Sequence, residues 1–241
     1  MDALIYTLMS GAERSMRAQQ VHANNLANLD TAGFRADLDI ALSEAVPGTG
    51  FDARHMAKLE TGAVTSRAGA IKATGRDLDV AVHGNGYLAV QWADGEAYTR
   101  AGAIQIDADG ALRIDGRAVM GDGGPIVLPP YEKLAIGVDG TLSIQAPGEV
   151  EMQAVDRLKL VRPEAGQLAK NEAGLIVARD GQPLPVDDTV QVQGGHLEGS
   201  NVSAVEEMVA TMSLNRDFEV QMKLYKSADA MAEAGNRLIR E

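Results

Sequence analysis

The sequence contains no cysteine. That absence excludes disulfide frameworks, thiolate-bound zinc, iron–sulfur clusters and thiol nucleophiles together. Aromatic residues are scarce, at 4%. No run approaches the roughly 18 consecutive apolar residues that a membrane-spanning helix needs, so no membrane insertion is expected. Cations are outnumbered: 22 Lys and Arg stand against 34 Asp and Glu, for a formal charge of −12. Such a chain repels phosphate backbones and anionic lipid alike, so nucleic acid is not an expected partner. The opening Met1-Asp2-Ala3-Leu4-Ile5-Tyr6 has neither a basic leader nor an unbroken apolar stretch, and no cleaved secretory signal is expected from it. What is present is 241 residues at 45% hydrophobic, enough for one large domain or two ordinary ones with a sizeable core.

Proline and glycine divide the chain. All 8 Pro fall between Pro47 and Pro185, most of the 26 Gly lie in the interior, and from Ser203 to Ile239 there is only Gly235. The ends permit helix and the centre is rich in turns. At the C-terminal end, Ser203-Ala204-Val205-Glu206 has capping-box spacing. Apolar residues then recur at Val205, Met208, Val209, Met212, Phe218, Met222, Tyr225, Ala232 and Ile239, mostly three or four apart. A helix over 203–239 would be a rod of roughly 55 Å. The N-terminal segment from Ala3 to Asn28 also reads as helix, with inner positions Ile5, Met9, Ala12, Met16, Gln19, Ala23 and Leu26. This stripe is narrow and partly polar, and the amides Gln19, Gln20, Asn24, Asn25 and Asn28 lie along or beside it. It suits close packing with other helices better than collapse on its own.

The centre repeats itself at an offset of 30. Ile104-Gln-Ile106-Asp-Ala-Asp109-Gly110-Ala-Leu112-Arg-Ile114 matches Leu134-Ala-Ile136-Gly-Val-Asp139-Gly140-Thr-Leu142-Ser-Ile144. A three-residue loop ending in a left-handed Gly pairs Ile106 with Leu112, Ile104 with Ile114, and Ile136 with Leu142. The same geometry at Ala93-Asp94-Gly95 would pair Val90 with Tyr98. At Arg179-Asp180-Gly181 it would pair Ile176 with Leu184. These features predict an α+β protein: a central domain rich in antiparallel β-hairpins (36–200), flanked by long terminal helices (1–35 and 201–241).

Motifs that suggest chemistry have simpler explanations. Gly84-Asn85-Gly86-Tyr87-Leu88-Ala89 matches a dinucleotide fingerprint, but a strand and a turn follow it where a helix is required. Asp107-Ala108-Asp109-Gly110 opens like a calcium loop, yet Ala118 stands where the bidentate Glu belongs, and Asp-Gly turn chemistry accounts for the residues. His22, His55, His83 and His196 show no ligand spacing. Asn201-Val202-Ser203 reads better as a helix cap than as a glycosylation site. No catalytic, cofactor-binding or metal-binding residues are expected.

Four segments together resemble the bacterial flagellar rod and hook proteins. The first is His22-Ala-Asn24-Asn25-Leu26-Ala27-Asn28 with Thr31-Ala-Gly33-Phe34-Arg35. The second is Thr74-Gly75-Arg-Asp-Leu78-Asp79-Val80-Ala-Val-His-Gly84-Asn-Gly86. The third is Tyr98-Thr99-Arg100-Ala-Gly102, continuing through Asp107, Gly110 and Leu112 to Gly121. The fourth is Leu197-Glu198-Gly199-Ser200-Asn201-Val202, followed by Glu207-Met208-Val209 and Phe218-Glu219-Val220-Gln221-Met222-Lys223. Within that family the opening residues and Leu88-Ala89-Val90-Gln91 are most similar to the F-type proximal rod subunits, with the G-type distal ones as the alternative. The resemblance implies a structural subunit of the periplasm-crossing rod that polymerises through its terminal helices. Its partners would be other rod subunits and copies of itself. It would be exported by the flagellar type III apparatus without a cleaved leader. The implied assembly surface comprises Ile5, Met9, Ala12, Met16, Gln19, Ala23, Asn24, Asn25, Leu26 and Asn28, then Gly33 and Phe34 at the bend, and Val205, Met208, Met212, Phe218 and Met222. Readings from other classes are an enzyme of unfamiliar type and a binding module whose helices pack only on its own β domain.

Overall fold

A computed structural model describes residues 2–45, 55–93, 95–164, 166–171 and 175–240. Helix α1 (Asp2–Ala27) is followed by β1 (Asp37–Ala45) and β2 (His55–Val64), which form a two-stranded sheet of their own. Next come β3 (Ile71–Ala73), β4 (Val80–Val82), β5 (Tyr87–Trp92), β6 (Gly95–Thr99), β7 (Gln105–Ile106), β8 (Leu112–Ile114) and β9 (Arg117–Ala118). They are followed by β10 (Met120–Gly121), β11 (Gly124–Pro125), β12 (Lys133–Ile136), β13 (Thr141–Gln145) and β14 (Gln153–Arg157). The series closes with β15 (Leu160–Val161), β16 (Leu168–Lys170), β17 (Ile176–Ala178), β18 (Val192–Gly194) and β19 (His196–Glu198), before helix α2 (Ala204–Arg240). The protein is α+β, with two helices and many antiparallel strands among the described residues. Two compact units divide it. One holds the described residues of Met1–Ala27, Asp37–Thr61 and Ser203–Glu241; the other holds those of Asn28–Ala36 and Gly62–Val202.

In the helical unit, α2 starts where its cap is strongest. Ser203 Oγ accepts from Glu206 N at 3.4 Å, and the Ser203 carbonyl accepts from Glu207 N at 3.0 Å. Two acids in the first turn face the positive end of the helix dipole. The contacts His22 to Glu207, Gln19 to Asn215 and Ser15 to Gln221 run in opposite senses along the two helices, so α1 and α2 are antiparallel.

The β unit is built around β5 and β6, the centre of a five-stranded sheet ordered β15-β5-β6-β17-β16. Leu88, Val90 and Ala97 enter a core shared with Ile104, Leu112, Leu142 and Leu160. Tyr87, Ala89 and Tyr98 enter a second core with Val161 and Ile176. Both faces of β5 and β6 are therefore apolar. That explains one correction to the expected registers: Tyr98 pairs with Ala89, and Val90 with Ala97. Trp92 lies opposite Gly95, leaving a two-residue loop whose first residue, Ala93, has φ +44°; Asp94 lies outside the described residues. A strand buried on both sides lacks the polar alternation that would distinguish one register from its neighbour.

The repeated turns form as expected at Ile106 with Leu112, Ile136 with Leu142 and Leu134 with Ile144. Gly110 and Gly140 have φ of +83° and +84°. Ile104 leaves the ladder, because its N–H is taken by the Gly102 and Leu78 carbonyls, so it meets Ile114 only in the core. The Arg179-Asp180-Gly181 turn forms without a hairpin. Ile176 pairs with Lys170 and Tyr98, and Leu184 N–H donates to the Tyr98 hydroxyl at 2.7 Å. Asp107 serves its own turn. Its carboxylate accepts from Asp109 N, Ala111 N and Arg113 Nε, and the Arg113 bond above all holds its pKa below the usual carboxylate range.

These turns differ in how much room surrounds the glycine. A Cβ on Gly110 would lie 2.4 Å from the Leu128 carbonyl oxygen; on Gly140 its nearest neighbour would be the flexible Leu160 Cδ1 at 3.2 Å. Gly123 has open space around it. Gly140→Ala should cost about 1 kcal/mol from the left-handed backbone alone. Gly110→Ala should cost about 3 kcal/mol, because backbone must also move. Gly123→Ala should be close to neutral. Urea unfolding of the three variants tests this order.

Candidate assembly interface

The two helices meet through small and polar groups. On α1 the seam uses Gly11, Ser15, Ala18, His22 and Asn25; Ser15, Ala18 and Asn25 are buried. On α2 it uses Glu207, Leu214, Gln221 and Ala228, one every seventh residue, with Leu214 and Ala228 buried. His22 Nδ1 lies 2.5 Å from Glu207 Oε2, and Asn25 Nδ2 donates to Glu207 Oε1 at 3.2 Å. Asn25 also holds the start of β1, accepting from Asp37 N at 2.9 Å and donating to Asp37 O at 3.1 Å. Asn24 Nδ2 donates to the Asp37 carboxylate at 2.9 Å. Gln221 faces Gly11, where a Cβ would stand 3.2 Å from its Nε2. Small residues let the helices approach, and the amides and the carboxylate cross-link them.

The apolar stripes expected to bind partners lie elsewhere on the same helices. On α1, Met9 (55% exposed), Met16 and Ala23 lie roughly a third to a half of a turn from the seam, and Leu26 lies nearer its edge. Ala12 and Gln19 are half-buried, and Gln19 donates to Asn215 at 2.8 Å. The Ile5 side chain lies outside the described ones. On α2, Val205, Met208 and Met212 (58% exposed) face away from the seam. Val209, Val220, Leu224 and Met231, which were not among the expected interface residues, extend that exposed stripe. Phe218 is half-buried on the seam side with Leu214 and Gln221. Met222 borders a shallow apolar groove with Leu8, Met9, Ala12 and Tyr225.

In the β unit the family-like segments converge on a single buried carboxylate. Glu198 Oε1 pairs with Arg35 Nη2 at 3.0 Å and accepts from Gly69 N at 2.8 Å. Glu198 Oε2 lies 3.1 Å from Arg100 Nε, an ion pair whose geometry falls short of a hydrogen bond. All three side chains are no more than 2% exposed. Arg100 also donates to the Val82 and Gly84 carbonyls and stacks over the Tyr87 ring at 5.5 Å. Burial pushes the Arg100 pKa down, and Glu198 opposes that shift. Arg35 donates to the Arg67 carbonyl. Asn201 does not cap α2. Its side chain accepts from Ala36 N at 2.8 Å and donates to Arg67 O at 2.6 Å.

Glycines make this convergence possible. Gly33, at φ +69°, donates its N–H to the Glu198 carbonyl at 2.7 Å, and a Cβ there would fall 2.1 Å from Ala101 N. A Cβ on Gly102 would fall 1.6 Å from the Val80 carbonyl oxygen. Phe34 is half-buried beneath Lys170, whose Nζ lies 4.3 Å from the ring centroid. Arg35, Arg100 and Glu198 all stand within the family-like segments, yet sequence reasoning gives them no role. The available signal was charge: each is an ionisable side chain set among small and apolar residues. Removing one partner of such a group strands the others without compensation. Glu198→Ala should therefore destabilise the β unit by about 3–5 kcal/mol. Surface Glu151→Ala, tested beside it by urea unfolding, should change stability by less than about 0.5 kcal/mol.

Comparison with known proteins matches segments that contain Arg35, Arg100 and Glu198. Residues 5–35 match the family model described as "Flagella basal body rod protein". Residues 81–152 match "Flagellar hook protein FlgE/F/G D1 domain", and residues 193–238 match "Flagellar basal body rod FlgEFG protein C-terminal". The flagellar basal-body rod protein FlgF of Escherichia coli (strain K12) is 40% identical over 248 aligned residues, covering 99% of each chain. That of Salmonella typhimurium (strain LT2) is 39% identical over the same span and coverage. The rod protein FlgG of Bacillus subtilis (strain 168) is 31% identical over 153 residues, 56% of this chain and 58% of that one. The chain thus belongs to the flagellar basal-body rod proteins, in their FlgF group, and is a structural subunit of the rod in the flagellar basal body.

Proposed function

We propose that this subunit joins the rod through the sides of its helices that lie outside the α1–α2 seam. The contact residues would be Ile5, Met9, Ala12, Met16, Ala23, Asn24, Leu26 and Asn28 from the first segment, and Val205, Met208, Met212 and Met222 from the last, with Gln19 and Phe218, at the edge of the seam, reaching a neighbour only in part. Asn25, Gly33 and Phe34 would act from within the subunit, shaping the chain as it leaves the inner segment. Residues 1–35 and 201–241 would then serve as inner-tube segments and 36–200 as the outer, β-rich region. The neighbours would be other rod subunits and copies of this chain, in the periplasm. The subunit would arrive through the flagellar type III export apparatus.

One observation carries this reading: Val205, Met208, Val209, Met212, Val220, Leu224 and Met231 of α2 are exposed, while the buried side of the helix pair holds Leu214 and Ala228 among small and polar groups. A soluble helix buries its apolar stripe and shows its polar one. The reverse arrangement supports burial of the exposed stripe by a neighbour, at about 1.5–3 kcal/mol per large side chain covered. Methionine suits this use, because an unbranched, flexible side chain fits several non-identical neighbours. Head-to-tail contacts of this kind generate an open helical filament.

Paired substitutions test it. Met212→Asp puts a carboxylate where a neighbour would exclude water, costing several kcal/mol in the assembly. In the free subunit that carboxylate stays wet, so monomer stability should change by less than about 0.5 kcal/mol. Incorporation into basal bodies and swimming should be lost. Leu214→Asp, two residues on and 8% exposed, should instead lower the stability of the free helical unit. Equal monomer destabilisation by both variants would place Met212 in the subunit's own core and refute the assignment.

A further inference from the structure

Asn85-Gly86 is the one Asn-Gly pair in the chain. The fold gives it no part in nucleotide binding: Gly84 and Asn85 form the turn between β4 and β5, and a strand follows. Gly84 has φ +64°, a left-handed position that glycine fills readily. The Asn85 side chain is exposed and makes no hydrogen bond among the described residues. The Gly86 N–H has no acceptor among them either. Every other asparagine precedes a residue that carries a side chain. Asn24, Asn25, Asn215 and Asn236 are also held in helix, and the side chains of Asn171 and Asn201 are hydrogen-bonded.

We propose that Asn85 is a self-modifying site, where the side chain cyclises onto the Gly86 nitrogen and the chain deamidates. The Gly86 nitrogen, giving up its proton, attacks Asn85 Cγ. An N–Cγ bond forms, the Cγ–Nδ2 bond breaks, and Nδ2 leaves as ammonia with that proton. Water then opens the five-membered succinimide at one of its two carbonyls. Opening at Cγ gives an ordinary aspartate. Opening at the main-chain carbonyl gives isoaspartate, whose backbone runs through Cβ and Cγ. No oxidant or reductant enters. The local structure favours the ring. The reacting groups are covalently held in neighbouring residues, so the first step is unimolecular. Neither has a competing hydrogen bond to break. Gly86 brings no Cβ to crowd the approach, and a Cβ there would lie 2.2 Å from Val190 Cγ1. Asn85 borders a cavity of about 280 Å³, which leaves its side chain room to turn.

The two products differ in consequence. Aspartate keeps the backbone as it is. Isoaspartate lengthens it by one atom between β4, whose residues are all buried, and Gly86, which packs on Val190 and Val82. The Gly84 carbonyl in the same turn is held by Arg100 of the Glu198 cluster. A close-packed interior absorbs such a change poorly, so the isoaspartyl form should loosen the β unit. This inference is independent of the proposed assembly contacts.

The intact purified chain tests it. Folded wild type, urea-unfolded wild type and folded Asn85→Gln are incubated in mildly alkaline buffer and then cut with trypsin. Arg76 and Arg100 bound a peptide in which Asn85 is the one asparagine. In the folded wild type this peptide should gain the mass of an amide-to-acid exchange. Fragmentation should place the change at residue 85, as aspartate and isoaspartate together. Asn85→Gln, which cannot form the five-membered ring, should stay unchanged, as should the peptides carrying the other asparagines. Persistence of Asn85 in the folded chain, whether or not the unfolded chain converts, would overturn the site. Aspartate without isoaspartate would overturn the ring. The isoaspartyl chain, separated from the aspartyl one, should melt several degrees lower, whereas Asn85→Asp should melt with the wild type. Equal melting of all three would overturn the structural consequence.

Discussion

Glu198 is the group on which the β unit depends. Its carboxylate joins two arginines that are 65 residues apart in the chain and a backbone amide from a third segment, and its own carbonyl receives Gly33. Burying three charges is costly, and an apolar cluster of the same volume could be as stable. What an apolar cluster lacks is directional bonding. Here each guanidinium also holds backbone carbonyls: Ser66 and Arg67 for Arg35, Val82 and Gly84 for Arg100. The cluster therefore specifies which strands and loops meet, and in what orientation, where apolar contact would admit several arrangements.

The glycines follow from that constraint. Gly33, Gly69 and Gly102 lie where a Cβ would enter a neighbouring backbone at 2.1 Å or less. Backbone can pack this closely only if the polar groups brought together are satisfied, and the Glu198 carboxylate and carbonyl satisfy the N–H groups of Gly69 and Gly33. Residues far apart in sequence that look like separate family signatures are thus parts of one contact.

Local signals were legible in the sequence and long-range ones were not. The capping box at Ser203 and the near absence of Gly and Pro beyond it located α2 to within a residue or so. Asp-Gly turns located the registers at Ile106 and Ile136, because turn chemistry acts over four or five residues. The β5–β6 register was not readable, since Tyr87 to Val90 is apolar at every position and alternation carried no information. The fourth turn predicted a hairpin partner for Ile176 that long-range pairing with Tyr98 pre-empted. The Arg35–Glu198 pair spans 163 positions, and nothing in one sequence links its two halves.

The helices show a different kind of limit. Periodicity finds apolar stripes without saying what covers them, and α1 and α2 meet instead through Ser15, Ala18, His22, Asn25, Glu207, Leu214 and Ala228. A seam built mostly of small and hydrogen-bonding groups contributes orientation and close approach, with Leu214 its one large apolar side chain buried from water among the described residues. Hydrogen bonds of this kind add only about 0.5–1.5 kcal/mol each, and long helices draw most of their stability from packing. The helical pair is therefore organised by its polar seam before its main source of stability is in place. On the proposed assembly, the methionine-rich stripes would supply that stability once a neighbour covers them, and order in the helices and membership of the rod would be two descriptions of the same burial.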